Sequence, residues 1–469
     1  MASTFVGFPS SLAAALQQSF LNREFEEGLD SVLAYRRMAM QETVNARIGE
    51  TLTRTRKGRN TPEINPISGA QINANLDNSL TPQSFAIEQY TITLNQYAGT
   101  QDVNILQELA GIADQAIAAS RNNGVAGAQT LERLAKIQLF WNYTGGNTYV
   151  RSDLGTNTTT TVYVDDIRGF QHVNVNGVLT PVSGTNPLTC YEFPTSSSGV
   201  KQTFQVTGAA PTSTNYSLFP GSNGSGSTDG ISGYLTITGA SSAPVNGDAI
   251  ISTNAANVLR PSGKVSTNEL TGSDVLTLGL ILDAVTYLRN AGVPALPNGN
   301  YACILDNASL RQLFSDQQFM VLFAASSKAR EYVTGDVFDL LGVTFIPTTE
   351  AYVQQPNGTD VKVTVRRPIV IGAEAIIQGN FEGMDMWLNR QGVEGNTVSE
   401  VMLVNGVAQI MRVPLDRLQQ TLSLSWQWVG GFACPTDLTA NNAIIPTVGN
   451  NITGGNPLYK RAVVIETAG

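Results

Sequence analysis

The spacing of hydrophobic residues predicts long helices in the chain. From Val103 to Trp141, apolar residues recur every three or four positions, which is typical of an amphipathic helix. Gly124 and Gly127 lie within this stretch and are expected to kink the helix or divide it into two. A second periodic stretch, "GSDVLTLGLILDAVTYLRNAGVP", is expected to begin with Ser273 as its N-cap and to end at Gly292.

A different pattern occupies the region between Asn142 and Thr267. Short runs such as "TVYVDDI", "HVNVNGVLT", "KQTFQVTG", "GYLTITG" and "DAIIST" alternate apolar and polar residues, and Asn-Gly turn signals occur among them. Regular short strands with such turns predict an all-β sandwich or barrel. Because helical and α/β sequence flanks this region, we interpret it as an inserted domain whose two ends lie close together in space.

The alternation of Tyr90, Ile92 and Leu94 with polar neighbours predicts a half-buried strand. The preceding residues 46–78 are first basic and then rich in Gly, Pro and Asn, and they hold too few large apolar side chains for a core. Together these segments predict a long two-stranded arm with an irregular tip. A two-stranded hairpin is only marginally stable alone, so the arm requires another surface to lie on.

The stretch "GDVFDLLGVTFIPTTE", at positions 335–350, raises the question of an active site. Val337–Leu341 suit a short helix, Gly342 breaks it, and Val343–Ile346 form an apolar strand. In α/β enzymes, ligands bind beyond the carboxyl ends of such strands, which here would be Thr348–Glu350. These three residues are therefore either the edge of an active site or part of a structural wall.

Three later stretches have clear local signals. "YACILDNASLRQLF" predicts a buried strand that leads through an Asp306–Asn307 cap into a short helix. "EVMLVNGVAQIMRV" predicts a hairpin with an Asn-Gly turn. In "TLSLSWQWVGGFACP", alternation places four large apolar residues on one face of a strand, namely Leu422, Leu424, Trp426 and Trp428.

Residues with catalytic potential are few. His172 is the only histidine, which excludes a histidine-based catalytic triad and a two-histidine metal site. "SGKVST" (Ser262–Thr267) lacks the first glycine of a phosphate-binding loop. Asp165 and Asp166 should point to opposite faces of a strand instead of sharing a calcium ion. The sequence therefore predicts no catalytic activity, no cofactor and no metal site.

The overall balance of charge is acidic. The net charge is −9, and only 14% of the residues are charged, which argues against a free-standing nucleic-acid binder. The exception is Arg36–Arg59, which holds seven basic and two acidic residues. The three cysteines are too widely spaced for a zinc knuckle or a disulfide framework, and neither a signal peptide nor a membrane-spanning run is recognised, so a reducing cytoplasm is expected. These cysteines are Cys190, Cys303 and Cys434.

In this order, the parts resemble a major capsid protein of tailed bacteriophages with the Hong Kong 97-type fold. Four stretches carry the resemblance: "YTITLNQYAGTQDVN" entering the first long helix, "YACILDNASLRQLFSD", "VFDLLGVTFIPTT" and "DRLQQTLSLSWQWVGGFACP". That family combines an N-terminal arm, an extended β-arm called the E-loop, a long spine helix, an axial domain and a peripheral domain. The all-β insertion is the point at which this sequence departs from the family.

The resemblance implies an α+β fold and a division of the chain into six parts. They are an N-terminal arm (1–41), the E-loop (42–98), the spine helix of the peripheral domain (99–143), the inserted all-β domain (144–264), the axial domain with flanking peripheral segments (265–376), and returning peripheral strands with the C-terminal segment (377–469). Thr348–Glu350 would then be a loop of the axial wall that faces neighbouring subunits.

The function that the resemblance implies is structural. Pentamers and hexamers of the chain would form the icosahedral capsid that encloses the double-stranded DNA of a tailed phage, with no sequence-specific binding and no membrane. Assembly in the host cytoplasm would use a separate scaffolding protein and a portal protein, with a decoration protein as a further candidate partner. Basic residues of the E-loop are expected to dock on an acidic surface of the adjacent subunit, and Lys57 is the lysine there that could serve cross-linking. These residues are Arg47, Arg54, Arg56, Lys57 and Arg59.

Three alternatives remain open. A secreted adhesin or surface-layer protein would explain the Ser/Thr/Asn-rich β region, but it should carry a signal peptide. A hydrolase built on the α/β portion would require a Ser-Lys or carboxylate scheme. An encapsulin-like compartment shell shares the fold, but such shells are typically shorter and lack this insertion.

Overall fold

The computed structural model of the chain describes fourteen segments. These are residues 23–29, 34–44, 51–57, 87–104, 115–175, 178–194, 201–212, 232–265, 267–325, 338–354, 363–381, 399–412, 421–437 and 459–469. Within them, a few helices are combined with six β-sheets. The α+β class predicted from the sequence is confirmed.

The helices are few and the strands are many. Besides a helical stretch at 23–29, the described helices are α1 (Gln115–Tyr143), α2 (Leu278–Asn290), α3 (Asn307–Ser315) and α4 (Gln317–Ala325). Short 3-10 turns lie at Arg36–Met38, Pro261–Gly263 and Thr267–Glu269. The strands are β1 (Met40–Val44), β2 (Thr51–Lys57), β3 (Ile87–Thr93), β4 (Asn95–Asn104), β5 (Asn147–Tyr149), β6 (Thr161–Val164), β7 (His172–Val175), β8 (Val178–Pro181), β9 (Leu188–Phe193), β10 (Gln202–Pro211), β11 (Gly233–Thr238), β12 (Ala249–Ser252), β13 (Val258–Leu259), β14 (Tyr301–Leu305), β15 (Phe338–Leu340), β16 (Val343–Pro347), β17 (Val353–Gln354), β18 (Val365–Arg366), β19 (Ile369–Ile371), β20 (Ile377–Phe381), β21 (Ser399–Val404), β22 (Val407–Arg412), β23 (Thr421–Ala433), β24 (Ala462–Ile465) and β25 (Thr467–Ala468).

The first sheet, here called the peripheral sheet, is organised around the long strand β23. Its strand order is β1-β20-β23-β22-β21, and β4 pairs antiparallel with the first ten residues of β23. As predicted, Leu424, Trp426 and Trp428 share one face and are buried. Trp426 and Trp428 pack with Leu131 of α1, and the predicted Asn405–Gly406 turn joins β21 to β22, with both residues at positive φ.

Helix α1 differs from its prediction in two ways. Val103 lies in β4 and not in a helix, because the chain there continues the ladder with β23; residues 105–114 lie outside the described segments. The helix also runs without a break through Gly124. A Cβ atom on Gly124 would lie 2.4 Å from the Phe25 carbonyl oxygen, and one on Gly28 would lie 2.6 Å from the Arg121 carbonyl oxygen. The glycine therefore permits close packing of the 23–29 helix and does not kink α1.

The second sheet, here called the axial sheet, has the strand order β13-β24-β19-β14-β16-β15. Helix α2 covers one face with Ile281, Val285 and Leu288. The C-terminal end of α1, including Phe140, packs against the opposite face at Ile304. The sheet therefore forms the middle of three layers.

Two local predictions in the axial region are wrong. The predicted helix at Val337–Leu341 is a strand where it is described: Phe338–Leu340 pairs with β16 across a tight turn at Leu341 and Gly342, which have φ values of 53° and 79°. Two consecutive left-handed residues are typical of a two-residue hairpin.

Helix α2 begins after Thr277 and not after Ser273, because an Asp274 carboxylate oxygen accepts hydrogen bonds from the Thr271 backbone N–H and hydroxyl at 2.6 and 2.7 Å. Asp274 thus closes a separate turn.

The end of the chain joins the axial sheet. Strand β24 pairs with β13 and β19, and β25 pairs with β18. Within the predicted part 377–469, the strands of the C-terminal residues 459–469 therefore pair with strands of the axial region, and β20–β23 belong to the peripheral sheet. Strand pairing over such a sequence distance has no local signal in the sequence.

The inserted domain is a closed six-stranded barrel. Its strand order is β5-β12-β9-β10-β11-β6, and the two outer strands meet through a bridge between Val150 and Val164. Alternate residues point inward, as Leu188 and Cys190 of β9 do, and form one apolar core with Phe204 and neighbouring side chains. The predicted β domain is confirmed, and of the two architectures left open it adopts the barrel.

The barrel enters and leaves the rest of the chain at adjacent points. The Ala256 backbone N–H donates to the Gly145 carbonyl at 3.0 Å, and the Ser252 backbone N–H donates to the Gly146 carbonyl at 2.9 Å. The predicted boundary at 264 is too late, because β13 pairs with β24 in the axial sheet and Arg260 binds Glu466. The inserted unit therefore ends before β13.

We predict that the barrel can be removed if the cut respects this boundary. Replacing residues 148–253 with a short Gly/Ser linker should leave a soluble chain, because the joined ends are already neighbours and the barrel has its own core. Solubility and elution volume measure the result. Replacement of 146–260 is the matched control: it also removes β13 and Arg260, and it should yield insoluble protein. Insoluble product from every linker design of the shorter replacement would contradict a separable barrel.

Candidate functional site

The sequence assigns its predicted contact residues to the arm, which is formed by strands β2 and β3. Strands β2 and β3 pair antiparallel, with Thr51 opposite Thr93 and Lys57 opposite Ile87. Of the five predicted contact residues, Arg54, Arg56 and Lys57 lie in β2, although only the backbone of the last two is described. Arg47 and Arg59 lie outside the described segments.

Arg54 has partners within its own chain. Its Nε lies 2.6 Å from a carboxylate oxygen of Glu42 in β1, and the Tyr90 hydroxyl donates to the other oxygen at 3.0 Å. Glu42 thus ties both strands of the arm to the peripheral sheet. The Arg54 side chain remains 45% exposed, so this ion pair fixes the base of the arm and leaves much of the guanidinium accessible.

The base of the arm is packed, and the strand beyond it is exposed. Ile92 is fully buried against Ile377 of the peripheral sheet. A Cβ atom on Gly431 would lie 2.0 Å from the Thr93 carbonyl oxygen, so only glycine allows the arm to cross the sheet this closely. By contrast, the consecutive residues 53–55 are all exposed. Thr53 and Thr55 share one face of β2, and that face is uncovered there, whereas Arg54 on the other face pairs with Glu42.

A buried carboxylate fixes the segment before β1. Glu132 of α1 is fully buried, and its oxygens accept hydrogen bonds from the backbone N–H groups of Ala34, Tyr35 and Arg36 at 2.8, 2.5 and 3.1 Å. Burial raises the pKa of Glu132, although the three donors favour its ionised form. The helix thereby holds the N-terminal segment at the start of the 3-10 turn Arg36–Met38.

Thr348–Glu350, the candidate edge of an active site, are used within the chain. Glu350 accepts two hydrogen bonds from the Arg133 guanidinium, at 2.9 and 3.2 Å, and Lys136 donates to the Glu350 carbonyl oxygen at 2.6 Å. Burial opposes ionisation of Glu350, but the hydrogen bond from Arg133 and the Lys136 charge outweigh it and lower its pKa. The Glu350 side chain therefore binds the long helix of its own chain.

A second buried ion network joins the last strands to the axial sheet. Glu466 accepts from Arg260 Nε at 2.7 Å and from Arg367 Nε at 2.8 Å, and all three side chains are at least nine-tenths buried. Burial opposes ionisation of Glu466, but the two guanidinium groups outweigh it and lower its pKa. Arg367 also stacks on Tyr352, whose hydroxyl accepts from Arg168 of the barrel. This network therefore connects the barrel, the axial sheet and the chain end.

The other residues considered for catalysis are either exposed or held in ion pairs within the chain. His172 is exposed in β7, and Lys264 of "SGKVST" pairs with Asp274. Asp165 and Asp166 bind different arginines, Arg151 and Arg168. Within the described part of the chain, no group of three or more His, Cys, Asp or Glu side chains could hold a metal ion.

The cysteines and the helices add no further site. Cys190, Cys303 and Cys434 are free and buried. Burial raises the pKa of the Cys303 thiol to about 12, which disfavours its thiolate form. No helix among the described residues is long and apolar enough to cross a membrane.

Sequence reasoning missed the charged residues of α1. Glu132 and Lys136 are four positions apart in α1, and each directly follows a buried apolar residue, Leu131 or Ala135. Charges on the apolar face of an amphipathic helix are rarely buried without partners, so their position was a signal. Tyr35, which donates to Glu132, lies 97 residues away in sequence, and Glu350, which accepts from Lys136, lies 214 residues away. No local pattern in the sequence identifies these partners.

Comparison with solved structures returns phage capsids. The capsid of Ralstonia phage GP4 has a TM-score of 0.46 and 10% sequence identity, over 92% of this chain and 87% of that chain. The cyanophage Pam1 capsid has a TM-score of 0.44 and 8% identity, over 94% of each chain. The capsid of cyanophage P-SCSP1u has a TM-score of 0.42 and 10% identity, over 93% of this chain and 88% of that chain. No protein-family model matches the chain, and no curated protein matches its sequence. All three of these solved structures are phage capsids.

Proposed function

We propose that this chain is the structural subunit of a tailed-phage capsid and that its pentamers and hexamers form an icosahedral shell around double-stranded DNA. In this proposal, the arm of each subunit lies across the adjacent subunit. A separate scaffolding protein and a portal protein take part in assembly, which occurs in the host cytoplasm. The chain has no enzymatic role.

The observation that carries this proposal is the arm. Strands β2 and β3 form a two-stranded sheet that is packed at its base and exposed on the face of Thr53 and Thr55. An isolated pair of strands is marginally stable in water, so the arm gains stability by lying on another surface. A protein that presents such an arm from the edge of a larger sheet is suited to contact with copies of itself.

The proposal is tested by electron microscopy of the purified, concentrated protein. Rings of five or six subunits, or closed shells, are the expected result. Particles from infected cells should contain double-stranded DNA, whereas shells that contain a protein cargo would favour the encapsulin-like alternative. A chain that stays monomeric at every concentration would contradict the proposal.

The basic residues of the arm provide a sharper prediction. Changing Arg54, Arg56 and Arg59 together to Glu should leave a folded subunit that forms rings but few closed shells. One exposed ion pair contributes only about 0.2–1 kcal/mol, but a shell repeats each contact many times. Exposed charges are largely screened beyond about 10 Å at 0.1 M salt, so shell yield should also fall as ionic strength rises. Shell yield is counted on micrographs across a salt titration.

The intrachain partner of Arg54 requires a control. Glu42→Gln removes the ion pair with Arg54 but leaves the positive charge of the arm in place. If shell closure depends on contact with a neighbour, this variant should lose much less shell yield than the triple variant, because the amide oxygen that replaces the carboxylate can still accept from Tyr90 and the arm keeps its positive charge. A yield reduced equally in Glu42→Gln and in the triple variant would assign the effect to the base of the arm and would contradict intersubunit docking.

A further inference from the structure

One end of the barrel holds two buried carboxyl groups that no function described above uses. Glu192 lies near the end of β9, and Asp248 directly precedes β12. The side chains of β9 alternate between the core and the surface, and Glu192 belongs to the inward set with Leu188 and Cys190. Glu192 is 3% exposed, and Asp248 is 4% exposed. Carboxyl groups are rarely buried this fully without partners.

Strand pairing and hydrogen bonds fix the position of Glu192. This residue lies opposite Gln202 of β10 and Ile250 of β12. The Gln202 amide donates to one Glu192 carboxyl oxygen at 2.6 Å. The Glu192 carboxyl also forms a hydrogen bond with the Asp248 carboxyl. Because an ionised carboxylate is only an acceptor, this hydrogen bond requires a proton on one of the two groups, whatever else Asp248 contacts.

The same side chains hold the segment 239–248, which connects β11 to β12. The Gln202 side-chain oxygen accepts from the backbone N–H groups of Ser241 and Ser242 at 2.8 and 3.2 Å. The Gln202 NH₂ group donates to the Ser242 carbonyl oxygen at 2.9 Å. Asp248 accepts from the Val245 backbone N–H at 2.9 Å. The carboxyl pair and the amide therefore couple this segment to the interior of the barrel.

Two cationic side chains on the adjoining strands contact other groups. Lys201 Nζ lies 5.4 Å from the centroid of the Phe193 ring. Arg151, which follows β5, pairs with Asp153 and Asp165. These contacts direct the two positive charges to an aromatic ring and to other carboxylates.

Three further titratable side chains lie on these strands. Cys190 shares the inward face of β9, and burial raises the pKa of its thiol. Tyr191 lies on the outer face of β9. Tyr149 of β5 packs with Leu270 outside the barrel core. The proton of the carboxyl pair is therefore the one whose loss changes the charge inside this end of the barrel near neutral pH.

Burial favours the protonated form of Glu192. Together with Asp248, burial raises the pKa of Glu192 to about 7, although the hydrogen bond from Gln202 favours ionisation. The pKa of an unperturbed Glu is about 4.3. The contribution of this proton to stability is therefore fully present below about pH 4 and is lost as pH rises through about 7.

We propose that Glu192 and Asp248 form a proton-dependent latch for the segment 239–248. With a proton between them, the two carboxyl groups hold the segment against the end of the barrel. Loss of the proton leaves two buried carboxylates in contact, and their repulsion loosens the segment. The proposal concerns a single subunit and does not depend on shell formation.

The test is hydrogen exchange of the full chain, measured by mass spectrometry at about pH 5.5 and about pH 8.5, with each rate normalised to the intrinsic rate at the same pH. In the unmodified chain, protection of peptides from 239–248 should fall at least about 10-fold between the two conditions, since one unit of pKa corresponds to a tenfold change in an equilibrium. Protection of peptides from β10 should fall less, because local opening of the segment precedes unfolding of the barrel.

Glu192→Gln separates the latch from other effects of pH. The amide is neutral in both conditions and can still donate to Asp248, so protection of 239–248 should differ by less than about 2-fold between them. Asp248→Asn also removes the carboxyl pair, and it provides the same test if the first variant does not fold. Glu27→Gln is the matched control at an exposed position outside the barrel, and it should retain the 10-fold fall of the unmodified chain.

Three results would overturn the proposal. The first is equal protection of 239–248 in both conditions in the unmodified chain. The second is a fall that persists unchanged in Glu192→Gln or Asp248→Asn, which would assign the pH dependence to another group. The third is an equal fall in 239–248 and in β10, which would indicate loss of the whole barrel instead of release of one segment.

Discussion

Replacing Glu466 with Gln should lower the free energy of unfolding by about 3–5 kcal/mol, the range found when one partner of a buried ion pair is removed. Glu466 lies between β24 and β25 and accepts from both Arg260 and Arg367. The substitution leaves two buried guanidinium groups facing a neutral amide, whose NH₂ group is itself a donor. Urea unfolding of the isolated subunit measures the effect.

The effect of Glu466→Gln on stability should depend on pH. The pKa of Glu466 is lower in the folded chain than the value of about 4.3 for an unperturbed Glu. Its contribution to stability is therefore fully present above the unfolded pKa and is lost as pH falls through the folded pKa. The stability difference between the unmodified chain and Glu466→Gln should be largest above about pH 5 and should shrink progressively in more acidic solution.

Glu27→Gln is the matched control for this substitution. Glu27 pairs with Arg23 at 3.1 Å on the exposed face of the 23–29 helix, and such pairs contribute about 0.3–0.5 kcal/mol. The change should therefore scarcely move the urea midpoint. If Glu466→Gln behaves like this control, the network has no stabilising role and the two arginines are solvated or neutralised in another way.

Local patterns in the sequence predicted most of the elements. The alternation in "GYLTITG" and "DAIIST" predicted barrel strands that the structure contains, and the Asn405–Gly406 turn was identified from its residue types. The Asp306 cap was also correct, because its side chain accepts from the Ala308 N–H at 3.2 Å. Each of these signals depends on residues only a few positions apart.

The predictions failed where distant residues decide the structure. Gly124 suggested a kink, but the packing partner that requires a glycine is a helix almost a hundred residues earlier. The C-terminal strand joins the axial sheet through β13 and β19. Arg260 and Arg367 lie 206 and 99 residues from Glu466. Buried charges require partners, but no local pattern in the sequence indicates which residues these are.

Replacing Glu132 is expected to release the N-terminal segment from α1. Its carboxylate is the acceptor for three backbone N–H groups, of Ala34, Tyr35 and Arg36. A buried donor that loses its acceptor costs about 1–3 kcal/mol. Glu132→Ala removes all three acceptor contacts and should lower the free energy of unfolding by about 4 kcal/mol, whereas Glu132→Gln retains one oxygen and should lower it by about 2 kcal/mol.

Hydrogen exchange distinguishes this mechanism from a general loss of helix stability. In Glu132→Ala, the amides of Ala34, Tyr35 and Arg36 should exchange faster by a larger factor than the amides of α1, because local opening precedes global unfolding. Arg121→Ala, at an exposed position of the same helix, should leave those three amides protected. Because the same segment leads into β1 and the base of the arm, its release should also reduce ring formation. Unchanged protection of the three amides in Glu132→Ala would show that the segment is held by its apolar contacts alone.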